Sequence, residues 1–231
     1  MQIDDLRVEQ SPKRVRAMLG GAFVADADGP LLVWERPYYP TYFFPKNAVD
    51  ADTLDALVLA NAAHFVDEST DPRLEGFVAF DWDAIDHWFE EDEEVFVHPR
   101  DPYHRIDTLQ SSRAVRVEVA GRVVAESSSP KLLFETGLPT RYYLPKTDVR
   151  MDWLRESTTS TGCPYKGTAR YWGVDIDGTH HDDLAWSYDF PARESAPIAG
   201  YVCFYNEHVD LFIDGEPEAR PESPFSADGF A

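Results

Sequence analysis

The chain repeats itself, and that repetition constrains its fold more than any other feature. Sliding the 231-residue sequence by one hundred positions, with no gap, lays Val15 on Val115, Arg16 on Arg116, Gly21 on Gly121 and Pro30 on Pro130. Leu32 falls on Leu132, Glu35 on Glu135, Tyr42 on Tyr142, Pro45 on Pro145 and Lys46 on Lys146. Val24, Ala25 and Val49 bring the identities to twelve over the 35 positions 15–49. The matched positions are strand-face apolars, turn glycines and strand-ending prolines, the residues that specify a sheet. The chain is therefore read as a tandem duplication. It comprises a diverged N-terminal repeat over 1–107 and a C-terminal repeat over 108–231. The expected class is mostly β (β-rich α+β), with one added helix in the first copy.

Local patterning supplies the elements. After a short polar lead, Met1 to Pro12, residues Val15–Leu19 and Ala22–Ala25 predict a hairpin about Gly20-Gly21. Leu31–Glu35 and Thr41–Phe44 predict further strands. Leu54, Leu57, Val58, Asn61, Ala62 and Phe65 then recur at helical spacing, which predicts a buried helix near 52–66. A strand is expected at Gly76–Phe80, a short helix within Asp81–Phe89, a strand at Val95–His98 and a turn-rich link at Pro99–Asp107. In the second copy Val115, Val117 and Val119 alternate inward, and Leu132–Glu135 and Arg141–Leu144 follow as strands. Thr168–Ile176, closed by the turn pair Asp177-Gly178, and Leu184–Phe190, Tyr201–Tyr205 and Val209–Ile213 complete the sheet.

Charge narrows the classes of partner. The formal net charge is −21, from 42 acidic and 21 basic residues. Such a field repels phosphate backbones and anionic bilayers, which argues against nucleic-acid and membrane binding. No apolar run approaches membrane-span length and no signal segment opens the chain, so a cytoplasmic location is expected. Cys163 and Cys203 are too few for a disulfide scaffold and are read as reduced thiols.

One loop concentrates chemistry. Cys163-Pro164-Tyr165-Lys166-Gly167 runs into a strand carrying Arg170 and Trp172. Pro164 fixes φ, and Gly167 tolerates the left-handed geometry of a turn. Cys163 is the candidate nucleophile or redox thiol, with Lys166 lowering its pKa by charge. A thiol–imidazole pair would draw on His180, His181 or His208, and spacing does not choose between them. The alternative is a tight turn whose thiol is inert packing. His180-His181-Asp182 points its two imidazoles to opposite faces of a strand and makes a poor metal site. No metal and no cofactor is expected.

Several stretches in order resemble a bacterial family: Glu135-Thr136-Gly137-Leu138-Pro139-Thr140-Arg141-Tyr142-Tyr143-Leu144-Pro145, Cys163-Pro164-Tyr165-Lys166-Gly167, Trp186-Ser187-Tyr188, Ile198-Ala199-Gly200 and Phe204-Tyr205-Asn206. The family is domain of unknown function 427, which also carries a nucleotidyltransferase label. The resemblance covers Ala114–Gly215 closely and Arg14–Val49 loosely. It implies tent-like or half-barrel β domains, with a pocket near the Cys–Pro–Tyr–Lys–Gly loop and no settled activity. The first copy lacks that loop and has a helix in its place. Nucleotidyl transfer usually needs Gly-Ser on a turn ahead of two spaced, metal-holding aspartates. Asp81-x-Asp83 and Asp175-x-Asp177 have no Gly-Ser ahead of them, so the label is not adopted.

Subtracting one copy from the other places the site. Features kept in both copies are scaffold, and those confined to the second are functional candidates. The ligand-binding set from that subtraction is Arg141, Tyr165, Lys166, Arg170, Trp172, Trp186 and Asn206, to which Tyr142 and Lys146, present in both copies, are added, with Cys163 the candidate catalytic residue. Cations against the general charge trend point to a small anionic ligand held by Lys, Arg and loop N–H groups. The competing account is that these cations neutralise nearby carboxylates. The first copy's equivalent pocket is expected to be filled. The leading function is a small-molecule-binding β domain protein. The alternatives are an enzyme using Cys163 and an acidic protein-interaction module.

Overall fold

The computed structural model describes residues 6–65 and 71–227. The chain separates into two compact units, Met1–Pro102 and Tyr103–Ala231, and each is mostly antiparallel β. In the N-terminal unit the elements run β1 (Arg7–Gln10), β2 (Arg14–Leu19), β3 (Ala22–Asp28), β4 (Leu31–Trp34), β5 (Thr41–Pro45), α1 (Ala51–Leu59), β6 (Ala63–His64), β7 (Phe77–Phe80), β8 (His87–Glu90) and β9 (Glu93–Val95). They form two open sheets, β1-β4-β5-β7-β6 and β3-β2-β8-β9. Alternation turns Val15, Ala17, Tyr42, Phe44, Val78, Phe80 and Trp88 into a core shared by both sheets. Val33, Phe43, Ala79 and Leu74 pack on the other face of the first sheet.

The C-terminal unit repeats this plan and adds a long hairpin. Its strands are β10 (Ile106–Gln110), β11 (Val115–Val119), β12 (Arg122–Ser127), β13 (Lys131–Glu135), β14 (Arg141–Pro145), β15 (Leu154–Cys163), β16 (Gly167–Ile176), β17 (Thr179–Ser187), β18 (Tyr201–Phe204), β19 (Asp210–Ile213) and β20 (Glu216–Glu218). The sheets are β10-β13-β14-β18-β17-β16-β15 and β12-β11-β19-β20, and neither closes into a barrel. Asp177 and Gly178 both have positive φ, as a two-residue hairpin turn of type I′ requires, and they join β16 to β17.

The duplication is visible in the registers. Leu31, Leu32 and Val33 face Phe43, Tyr42 and Thr41, and one hundred residues later Lys131, Leu132 and Leu133 face Tyr143, Tyr142 and Arg141. Both hairpins β2–β3 and β11–β12 shift register at the same place, between Ala17/Met18 and between Val117/Glu118. Val49 bridges Ala25 as Val149 bridges Ala125. Glu91 and Asp214, each with positive φ, accept the backbone N–H of Arg14 and Ala114 at 2.9 Å.

Several local expectations need correction. The helix ends at Leu59 rather than near Val66, and Val66 itself lies outside the described residues. Asn61 takes φ 55°, Ala62 N–H bonds Leu57 C=O at 2.8 Å and Asn61 N–H bonds Val58 C=O at 3.1 Å. This Schellman stop leaves only Leu57 buried on the helix, with Val58 39% and Phe65 43% exposed. The apolar spacing that continued to Phe65 belongs to the turn and to β6. The polar lead and the turn-rich link instead hold edge strands β1 and β10, which pair with β4 and β13. Asp81–Phe89 holds a single 3₁₀ turn, Trp82–Ala84, before β8. The strand expected at Val95–His98 stops at Val95, since Val97 turns to φ 74°, and that expected to reach Phe190 stops at Ser187 with Phe190 92% exposed. Among the described residues no helix is long and apolar enough to cross a membrane.

Core packing separates residues of the same type. Leu144 is fully buried between strands, whereas Leu59 is 86% exposed on α1. Leu144→Ala should cost the C-terminal unit about 2–5 kcal/mol in urea unfolding, while Leu59→Ala should stay within about 0.5 kcal/mol of wild type.

Candidate functional site

The long hairpin β15–β16 brings the Cys163 loop to the outer face of the C-terminal sheet. Cys163 pairs with Gly167, so Pro164, Tyr165 and Lys166 form a three-residue loop. Gly167 is at φ 94°, and a Cβ there would stand 3.1 Å from the carbonyl oxygen of Phe190. Both facts restrict the position to glycine. The loop is tied down by Ala192 N–H donating to Lys166 C=O at 3.0 Å and Ser195 Oγ donating to Tyr165 C=O at 3.3 Å.

Four cross-strand neighbours form a row on this face. Tyr171 of β16 pairs with Trp186 of β17, Trp186 with Cys203 of β18, and Cys203 with Tyr143 of β14. Cys203 is the small member of the row, and across it Trp186 Nε1 donates to Tyr143 Oη at 3.0 Å. Tyr205 lies over Trp186 with centroids 4.5 Å apart, and its hydroxyl shares a 3.3 Å hydrogen bond with that of Tyr171. These rings and Tyr188 wall a cavity of about 310 Å³, with Cys163, Lys166, Glu135, Arg141 and Phe225 among the remaining lining. Burial pushes the phenols of Tyr143, Tyr188 and Tyr205 well above the ordinary tyrosine value, so they stay neutral donors.

Both cations of the lining are paired. Arg141 is buried and makes a two-pronged bond to Glu207, at 2.6 and 2.9 Å, with Asn206 Oδ1 at 3.4 Å. Burial disfavours the Glu207 charge, but the bonds from Arg141 and Ser223 outweigh it and hold its carboxyl below the usual range. Lys166 Nζ is ion-paired with Glu135, which also accepts from His104 Nε2 at 3.0 Å. Burial pushes Glu135 up, and the bond from His104 and the charge of Lys166 bring it below its ordinary value.

Of the residues singled out from the sequence, Cys163, Arg141, Lys166 and Trp186 line this cavity. The others lie elsewhere. Tyr142 points into the core between the sheets, and Trp172 packs against that core with its Nε1 donating to Ser187 Oγ at 3.2 Å. Tyr165 is buried against His104, ring centroids 4.2 Å apart. Lys146 and Arg170 reach Asp189, at 4.0 and 2.7 Å. Asn206 braces Arg141 and donates to Thr140 C=O at 2.9 Å. Sequence reasoning missed Tyr143, Tyr171, Tyr205 and Glu135 as lining residues. The two-residue period puts Tyr143 and Tyr142, and likewise Tyr171 and Trp172, on opposite faces, but which of each pair joins Trp186 is set by the strand pairing. Among the described residues no group of three or more His, Cys, Asp or Glu is placed to hold a metal ion.

A family model described as a domain of unknown function, DUF427, matches residues 7–65 and 107–215. The chain belongs to the DUF427 family. The two matched segments fall one in each unit, and the second of them carries the Cys163 loop and most of the cavity. No curated protein matches the sequence. In the N-terminal unit Phe43 and Val33, the counterparts of Tyr143 and Leu133, are packed with Ala79 and Leu74, and a cavity of about 590 Å³ opens instead beside Glu35, the counterpart of Glu135, with Tyr42, Phe80 and Trp88 in its wall.

Two outcomes follow from this geometry. Cys203 is fully buried with its thiol pushed up to about 12, whereas Cys163 is partly exposed at the cavity. Iodoacetamide should therefore add one alkyl group to the native protein, at Cys163, and a second only after unfolding. Removing one partner of the buried Arg141–Glu207 pair by Glu207→Gln should cost about 3–5 kcal/mol at neutral pH. A carboxylate held low in the fold stabilises above its unfolded value and loses that contribution as pH falls. The penalty of Glu207→Gln should therefore shrink as pH drops below about 4.5, the ordinary value of the group. Denaturant titrations at neutral and acid pH read the difference.

Proposed function

We propose that the C-terminal unit is a binding module for a small, planar, uncharged molecule, held in the aromatic cavity beside Cys163. The observation that carries this reading is the lining. Six aromatic rings line about 310 Å³ of space, enough for a heteroaromatic ligand, and the neutral phenols offer hydrogen bonds at its edges. An anionic ligand, expected from the sequence, needs a cation to spare. Arg141 and Lys166 each already hold a carboxylate, which favours an uncharged ring over an anion. Thiol-dependent catalysis is the second reading, favoured by the position of Cys163 in the cavity wall. It is weakened by the imidazoles expected to serve as base. His180 is held by Asp175, and His208 bonds the Phe225 carbonyl at 2.8 Å.

Protection of Cys163 tests the reading. Indole and quinoline should slow its alkylation and raise the melting temperature, and benzoate should do neither. Tyr188→Ala should weaken indole binding by about 1 kcal/mol, the scale of one aromatic contact. Unchanged alkylation with every probe would sink the proposal. Protection by benzoate that disappears in Lys166→Met would transfer it to the anionic reading.

A further inference from the structure

The N-terminal cavity carries a different chemistry, and the repeat itself reveals how it arose. β7 pairs with β5 in the register that β18 uses on β14, so Phe80 stands for Phe204. The next three residues, Asp81, Trp82 and Asp83, then stand for Tyr205, Asn206 and Glu207. Thr41 occupies the place of Arg141, and His64, facing Ala79, occupies that of Trp186, facing Cys203. In the C-terminal unit Glu207 is neutralised by Arg141. The N-terminal unit keeps the acid as Asp83 and replaces the guanidinium with a threonine. It also gains a second acid, Asp81, where the other unit has a phenol.

The result is a cavity of about 590 Å³ with charge unlike its counterpart. Glu35, Asp81 and Asp83 line it against one guanidinium, Arg36, which donates to Tyr39 Oη at 3.4 Å. His64 stands between Glu35 and Asp81, at 3.6 and 3.9 Å. Stacked aromatic pairs form part of the wall: Trp82 on Trp88 with centroids 4.9 Å apart, and Tyr39 on His98 at 3.9 Å. Carboxylates beside aromatic faces attract a desolvated cation through both charge and ring quadrupole.

We propose that the N-terminal cavity binds a small organic cation, its charge taken by Asp83, Asp81 and Glu35 and its body laid against the aromatic wall. This site is separate from the C-terminal cavity and does not depend on the function proposed there.

Three isosteric probes of different charge test it: benzamidinium, benzamide and benzoate, titrated by calorimetry into the full chain at fixed ionic strength. Benzamidinium should bind saturably at one site, about tenfold or more tighter than benzamide, and benzoate should not bind. Thr41→Arg rebuilds the internal partner for Asp83 and should weaken benzamidinium by about tenfold, as should Asp83→Asn. Each variant's melting temperature shows that it remains folded. Asp55→Asn, exposed on α1, should leave the affinity unchanged, as should alkylation of Cys163. Equal affinity for benzamide, an unchanged affinity in Thr41→Arg, or a loss in Asp55→Asn equal to that in Asp83→Asn would overturn the proposal. The last outcome would mean general attraction to the net charge of −21. Loss on alkylation would move the binding to the other unit.

Discussion

Each unit depends on the pleat of its central hairpin, β4–β5 or β13–β14. Successive side chains of a strand point to opposite faces, so one residue of shift exchanges core for surface. Tyr42 and Tyr142 enter the core between two sheets, while Phe43 and Tyr143 go to the other face. On that second face the units diverge. Val33, Phe43, Ala79 and Leu74 make a small apolar cluster in the first, and the second extends the face with β15–β17 and lays aromatic rings across it. The inner face keeps a common scaffold, with Val15, Val24, Leu32 and Tyr42 matched by Val115, Val124, Leu132 and Tyr142, while the outer face differs more between the units.

Charge inside the two cavities follows from that exchange. Arg141 and Glu207 lie side by side with almost no solvent contact, and each is held in its ionised form by the other. A buried pair of this kind costs desolvation, and removing either member leaves an uncompensated charge. Its place in the N-terminal unit shows one member alone. Thr41 cannot neutralise Asp83, so that unit's cavity is acidic where its counterpart is internally balanced. The two units thus share the register of this hairpin and differ in the size, lining and charge of the cavities beside it.

Much of this architecture is legible in the amino-acid sequence. The hundred-residue offset, the alternating valines of β11 and the Asp177-Gly178 turn specify a duplicated antiparallel β protein, because turn geometry and period-two patterning act locally. The edge strands β1 and β10 and the polar strand β15 left no such mark. Their backbone bonds are supplied by a neighbouring strand, and their side chains face water on at least one side. The helix over-ran for the same reason in reverse. Asn61 in a left-handed conformation ends it, and the apolar spacing beyond is accidental.

The site divides along the same line. The sequence by itself determined that the Cys163 loop carries a turn-permitting glycine at 167, and that Trp186, Arg141 and Lys166 are confined to the second copy. These properties belong to short stretches of backbone and to residue type. Only the tertiary structure decided that Tyr143 rather than Tyr142 faces the cavity, that Glu207 and Glu135 neutralise its cations, and that the first unit's cavity is open and acidic. Arg141 and Glu207 are 66 residues apart, and Lys166 and Glu135 are 31 apart. The effective charge of a cation depends on its partner, and partners so distant along the chain are chosen by sheet register and packing.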